Sequence, residues 1–410
     1  MTDHTHPHTT KPTGKIRQFA VWRLAAAVLC LVALALVPVA MRASDHADPL
    51  SLDDPEANIT DLFFFPKGDQ MILIFNVRKA LLKPQPYNLI PYDYVIHMDL
   101  TSPLKFGPDS NDKEEDRPRF AGNLARYGGT VLKPEGLHDD VNITLHLNDD
   151  TSLKDKSFKG LKDPDRIRIF TGVRNDPFIF PRFFKKNIIA MVMSIPMSSF
   201  PEGQKDFILW TSTYKEGKQL DHHGRSNRTQ QIRFDGLNTL PPQQHVAKIM
   251  EDLKFYNEAY TFLNGFKEVV PRGLLANMIQ LLLLPRKYDL QPDVMIYSTR
   301  FKPGYPNGRI LTDDVAAITC AEGDCILQEL SFIEGVEWPR QTTNFKPILD
   351  DWPFLAEPVD LTGEAPPPSK SIWPYVIGIV VVNLIVSWII VEILRRLVLR
   401  VFRRRPQPAA

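Results

Sequence analysis

Charge of one sign is missing from this chain. Lys and Arg number 49 against 48 Asp and Glu over 410 residues, so no global field recruits nucleic acid or an acidic substrate, and nucleic acid is not an expected partner. Cysteine is scarce as well. Of the three, Cys30 falls inside an apolar run, which leaves Cys320 and Cys325 in "TCAEGDCI". No second pair exists to complete a zinc centre with them. A short loop containing Gly323 can bring the two sulfurs together, so a disulfide is the expectation for an exported domain, and half of a metal site is the alternative. Also lacking are a P-loop, a dinucleotide fingerprint, a zinc-protease motif, a haem-attachment motif and a nucleophile elbow. No internal repeat or heptad array is present.

What the chain has in quantity is proline, 35 residues. Proline fills turns and breaks helix interiors, which points to a loop-rich, β-containing architecture. Two long apolar segments flank it. At the N-terminus, Lys11, Lys15, Arg17 and Arg23 surround the start of an apolar run that ends in small residues at Ala40 and Ala43. This is the layout of a secretory signal peptide, with cleavage after Ala40 or Ala43; an uncleaved anchor is the alternative. At the C-terminus, Ile372 to Ile390 is apolar except for Asn383 and Ser387, the length a helix needs to cross hydrocarbon. Trp373 and Tyr375 suit an interfacial belt, and Arg395, Arg396, Arg400, Arg403, Arg404 and Arg405 follow. Such a tail stays cytoplasmic and can bind anionic lipid headgroups.

Both basic flanks then face the cytoplasm, and the bulk of the chain lies outside it. The expected organisation is a signal peptide or membrane segment over 1–43 and an extracytoplasmic domain over 44–358. A Pro-rich stalk over 359–371, a transmembrane helix over 372–394 and a basic cytoplasmic tail over 395–410 follow. The expected location is the inner membrane, with one C-terminal span and a periplasmic bulk.

Within that domain, strand-like runs recur: "DLFFFPKGDQMILIFNVR", "YDYVIHMDL", "VNITLHLND", "RIRIFTGVR", "NIIAMVMSIPM" and "FILWTSTY". Their β-branched and aromatic content favours strands. The "PKGDQ" turn predicts a hairpin. A helical region runs from His245 to about Leu284, divided at Pro271. The expected class is α+β, β-rich with mainly antiparallel sheet, plus a helical insertion and one C-terminal transmembrane helix.

Several segments together resemble the bacterial domain of unknown function family 4331. They are "SDHADPLSLDDPEANITDLFFF", "FTGVRNDPFIFP", "NIIAMVMSIPMSSF" with "FILWTSTY", "PNGRILTDDVAAI" and "WPFLAEP", in that order. The chain departs from the family at Asn175, where aspartate is common, and in the looser "HHGRSNRT". The family brings no established reaction, so the resemblance implies a fold and a compartment but no mechanism.

Three stretches carry candidate chemistry. If cleavage follows Ala43, the mature chain begins Ser44-Asp45-His46, a nitrogen set suited to Cu(II) or Ni(II). Asp48, Asp53, Asp54, Glu56 and Asp61 offer hard oxygen ligands for Ca²⁺, or else form turns that cap the following strand. A metal site near the mature N-terminus would therefore use Ser44, Asp45, His46, Asp48 and Asp61. "QLDHHGRSNRT" reads as an exposed polar hairpin, with an anion-binding or catalytic loop as the alternative. Arg309 with Asp313, and Arg174 with Asp176, read as structural pairs. The leading expectation is a non-enzymatic, membrane-anchored binding or scaffold subunit of a membrane complex, with a membrane protein as partner. A metal-dependent periplasmic carrier or hydrolase is the alternative.

Overall fold

The computed structural model describes residues 54–81, 86–106, 128–177, 187–225, 236–252, 291–315, 318 and 346–360, and isolated positions between 381 and 396. The chain divides into two units, Met41–Lys370 and Met1–Ala40 with Ser371–Ala410. The first is a β-sandwich.

One sheet has four strands in the order β1 (Ile59–Lys67), β2 (Gln70–Leu81), β9 (Asn187–Pro196), β8 (Arg168–Asn175). The other runs β11 (Lys218–His223), β10 (Asp206–Lys215), β3 (Tyr92–Asp99), β6 (Val141–Leu147), β7 (Leu153–Lys159), and β12 (Met295–Ser298) also pairs with β10. A two-stranded ribbon joins β4 (Leu104–Lys105) to β5 (Thr130–Val131). Every pairing is antiparallel. The expected β-rich, mainly antiparallel class is therefore what the chain adopts.

The β1–β2 hairpin forms at the expected turn. Gly68 adopts φ +63°, the left-handed conformation that primed hairpin turns demand and that glycine reaches without steric cost. Strand periodicity then sorts the side chains. Leu62, Phe64, Leu73, Phe75, Met191 and Met193 face inward and meet Tyr94, Ile96, Ile143, Leu145, Phe207 and Leu209 of the other sheet. β6 alternates buried and half-exposed residues along its length, as its sequence alternates.

Part of each outer face is covered too, and β2 and β9, buried on both sides, read as apolar runs. Phe63, Ile72, Ile74, Ile188 and Val192 pack under Leu311, Phe354 and Leu355. On the six-stranded sheet, Ile208, Trp210 and Ile296 pack under Phe106, Val131, Leu137, Val294 and Phe301. Burying an apolar side chain contributes about 1.5–3 kcal/mol, so three such layers supply the bulk of the folding drive.

Of the helical insertion, residues 242–252 are described and helical; we call this helix α1. Pro242 stands at its start, where proline's missing N–H costs nothing. The rest of the expected helical region lies outside the described residues. So do the signal segment, nearly all of the stalk, and Cys320 with Cys325. No helix among the described residues is long and apolar enough to cross a membrane. At the C-terminus, Val381, Leu384, Ile385, Trp388, Ile389 and Val391 are helical and exposed, and Arg396 Nε donates to Glu392 at 3.1 Å.

Candidate functional site

The outer face of the six-stranded sheet carries the polar groups. Register places Trp210, His97 and Asn142 in one row across β10, β3 and β6. The His97 and Trp210 rings stack at 5.1 Å between centroids and 7° between planes. His97 Nδ1 sits 2.9 and 3.1 Å from the two oxygens of Asp139, and Asn142 Nδ2 donates to the same carboxylate at 2.9 Å. A carboxylate only accepts, so Nδ1 carries a proton. Burial works against the charge on Asp139. The hydrogen bond and charge of His97, aided by Asn142, outweigh it and hold the carboxyl below its ordinary range. The Tyr214 ring meets His97 edge-on at 6.5 Å, and burial pushes its phenol up.

Beside this pair lies a second cluster. Asp99, His138 and Asp140 place ligand-type atoms within 4.8 Å of one another. Those atoms are already engaged. Asp99 Oδ1 accepts from the Thr101 and Ser102 N–H groups, and Oδ2 from the Ser102 hydroxyl and the His138 N–H. Asp140 Oδ2 accepts from Leu100 N–H and the Thr101 hydroxyl. His138 Nδ1 is 3.0 Å from the Gly136 carbonyl, and Nε2 is 3.3 Å from Asp140. The carbonyl of Gly136, with the nearby Asp99 and Asp140 charges, raises the imidazole pKa against a small opposing effect of burial. The cluster is a knot that fixes the turn into β6.

A third constellation corrects the expected exposed hairpin. Asp221, His222, His223 and Arg225 are buried. Asp221 Oδ2 accepts the Ile59 N–H at 2.7 Å, joining this strand to the start of β1. The Asp293 carboxylate accepts the N–H groups of Gly224 and Arg225, while Arg225 donates to the carbonyls of Pro292 and Val294. His222 Nε2 donates to the Asp293 carbonyl at 2.7 Å. His245 of α1 accepts the Asp293 N–H on Nδ1 and donates from Nε2 to Leu240. Polar side chains are buried here because a segment distant in sequence satisfies them.

Of Ser44, Asp45, His46, Asp48 and Asp61, Asp61 alone is described. It is fully buried at the base of β1, 3.1 Å from the Arg309 guanidinium, and accepts from Asn76 at 3.2 Å. Ser44, Asp45, His46 and Asp48 lie outside the described residues. Asp54 accepts from the Tyr92 hydroxyl and from Lys215, which hold its carboxyl below the ordinary range. Glu56 pairs with Arg78.

The Arg309 guanidinium meets Asp61 at 3.1 Å, and Asp313 accepts the N–H groups of Tyr305 and Ile310. Arg174 reaches Glu357 at 2.7 Å and covers the Phe170 ring. The residues that sequence reasoning passed over are His97, His138, Asp139 and Trp210. The available signal was "HDDVN", a histidine and two aspartates immediately before a strand.

No family model matches the chain, and no curated protein matches it. Among solved structures, one described as a carbohydrate binding module family 9 from Caldicellulosiruptor kristjanssonii in complex with cellotriose aligns over 43% of this chain and 75% of its own. The identity is 10% and the TM-score 0.19. A score that low transfers neither fold nor ligand.

Proposed function

We propose that the chain is a membrane-anchored extracytoplasmic binding or scaffold subunit of a membrane complex, similar to the family of unknown function named above. The observation that carries the reading is a contrast between two parts of one chain. The sandwich buries apolar clusters on both sides of each sheet, whereas the C-terminal helical residues leave Val381, Leu384, Ile385, Trp388 and Ile389 exposed, Trp388 at 68%. An apolar stripe left open on a helix calls for lipid or another apolar helix. The arginines beyond it fix orientation with the tail in the cytoplasm. The domain then stands outside the membrane, where a Cys320–Cys325 disulfide persists.

Extraction of membranes in mild detergent followed by affinity purification tests this reading. The full chain is expected to resist an alkaline wash and to bring down a stoichiometric membrane protein. Recovery as a lone, freely soluble monomer overturns it. Truncation before Ile372 is expected to release the domain from the membrane fraction.

A further inference from the structure

In the knot before β6, the lone pairs of three residues are turned toward one point. The Gly136 carbonyl can only accept, so His138 Nδ1, 3.0 Å away, donates, and the lone pair of the neutral ring sits on Nε2. Thr101 spends its hydroxyl hydrogen on Asp140 Oδ2 at 2.9 Å, and its oxygen lies 3.0 Å from His138 Nε2. Asp140 Oδ1 stands 3.3 Å from the same Nε2. In the neutral ring, Nε2, Oγ1 and Oδ1 therefore meet with no hydrogen among them. Electron-rich atoms at this range repel unless a cation lies between them.

The spacing suits a metal ion. Ligands about 2.0–2.2 Å from an ion, at the angles of a tetrahedron or octahedron, stand about 3.0–3.5 Å apart. The two edges at Nε2 measure 3.0 and 3.3 Å, and the ligand-type atoms of Asp99, His138 and Asp140 all lie within 4.8 Å. Asp99 is buried, and its oxygens are spent on the Thr101, Ser102 and His138 donors, with Oδ2 3.4 Å from His138 Nδ1. It stands behind the ring and does not face the ion. A carbonyl or carboxylate behind the second ring nitrogen is the usual support of a metal-binding imidazole, because it fixes tautomer and orientation. The front is open to solvent: the His138 side chain is 51% exposed and that of Asp140 27%. Water can complete the coordination. One imidazole with two oxygens is a borderline donor set, suited to Zn²⁺, whereas Ca²⁺ takes six to eight oxygens.

We propose that His138 Nε2, Asp140 Oδ1 and Thr101 Oγ1 bind a divalent transition-metal ion of the Zn²⁺ type. Asp99 and the Gly136 carbonyl position the imidazole. The ion ties the corner after β3, at Thr101, to the turn before β6, at His138 and Asp140, segments 37 and 39 positions apart in the chain. The site needs neither the tether nor the partner of the proposed function, and failure of either reading leaves the other untouched.

The test is titration of the metal-free full chain in mild detergent with Zn²⁺, read by calorimetry, and with Co²⁺, read by visible absorption. Wild type is expected to bind one equivalent that His138→Gln lacks and that Asp140→Asn holds at least tenfold more weakly. His46→Ala should keep that equivalent, and so should His146→Gln, whose ring pairs with Asp93 elsewhere on the sheet. An equal concentration of Ca²⁺ should not displace Zn²⁺. Equal binding by wild type and either His138→Gln or Asp140→Asn, loss of the equivalent in His46→Ala or His146→Gln, or displacement by Ca²⁺ overturns the proposal. If the variants do not fold, ¹⁵N spectra of the wild-type imidazoles decide. Zn²⁺ should shift the His138 Nε2 signal, and an unchanged signal overturns the site.

Discussion

Arg309 and Asp61 meet 3.1 Å apart on the outer face of the four-stranded sheet, both essentially without solvent exposure, and the guanidinium lies 4.1 Å above the centre of the Phe63 ring. Backbone pairing between Phe64 and Arg309 holds the two segments in register, so the ion pair pins the loop after β12 to the outer edge of β1. Removing one member of a buried pair strands the other charge, which costs about 3–5 kcal/mol. Asp61→Ala is therefore expected to lower the urea midpoint steeply. The joint replacement Asp61→Leu with Arg309→Met should recover much of the loss, because neither charge is then left unpaired. A double variant no better than the single one would refute the pairing.

Gly224 gives a second, steric prediction. A Cβ built there would stand 2.4 Å from the Asp293 carbonyl oxygen and 2.5 Å from its carbon, both rigid backbone. Gly224→Ala must push the β11 end away from residues 291–294, opening the bonds that Asp293 makes to Gly224, Arg225 and His222. Overpacking of this kind costs about 1–3 kcal/mol. The variant should lose thermal stability by that order, and the amides of Gly224 and Arg225 should exchange faster with deuterium. Wild-type exchange rates at those two amides would sink the latch.

The strands were legible in the sequence because apolar alternation and unbroken apolar runs report burial on one face or two. β6 and β9 show both cases. The site was not, for a physical reason. His97 lies in "YDYVIHMDL", where periodicity speaks of a strand, and its carboxylate partner comes 42 positions later. That meeting depends on the β3–β6 register, which no local pattern encodes. The buried "DHHGR" misled in the same way. Polar residues look exposed until Asp293, 68 positions beyond Arg225, satisfies them. The Arg309 guanidinium meets Asp61, a partner far away in the chain. Local reasoning favours local partners, whereas burial rewards whichever charge comes out of water with it.

Acid should weaken the fold through Asp54 and Asp139. Both are held below the ordinary carboxyl value of 3.8, Asp54 by Lys215 and Tyr92, and Asp139 by His97 and Asn142 against the opposing effect of burial. A depressed carboxyl contributes stability that is fully present above its unfolded value and fades as pH falls through the folded one. The loss attributable to these groups therefore belongs below about pH 4–5. Asp139→Asn should flatten part of that acid limb in urea melts run from pH 5 to pH 2. An unchanged slope in the variant counts against the His97–Asp139 pair.

His138 acts at the other end of the scale. Hydrogen bonding to the Gly136 carbonyl, together with Asp99 and Asp140, raises its pKa above the ordinary 6.5. A raised imidazole contributes stability that is complete below the unfolded value and disappears as pH climbs through the folded value. The effect therefore falls just above pH 6.5 and favours the acid side. Its side chain is 51% exposed, so solvent screening limits the contribution to under about 1 kcal/mol. Wild-type protein should lose a small increment of stability between pH 6 and pH 8 that His138→Gln does not lose. Because His138 braces the turn carrying Asp139, the same interval should leave the His97–Trp210 stack intact while amide exchange at residues 137–140 accelerates. A larger loss in the variant than in the wild type would reverse the sign and discard the bridge.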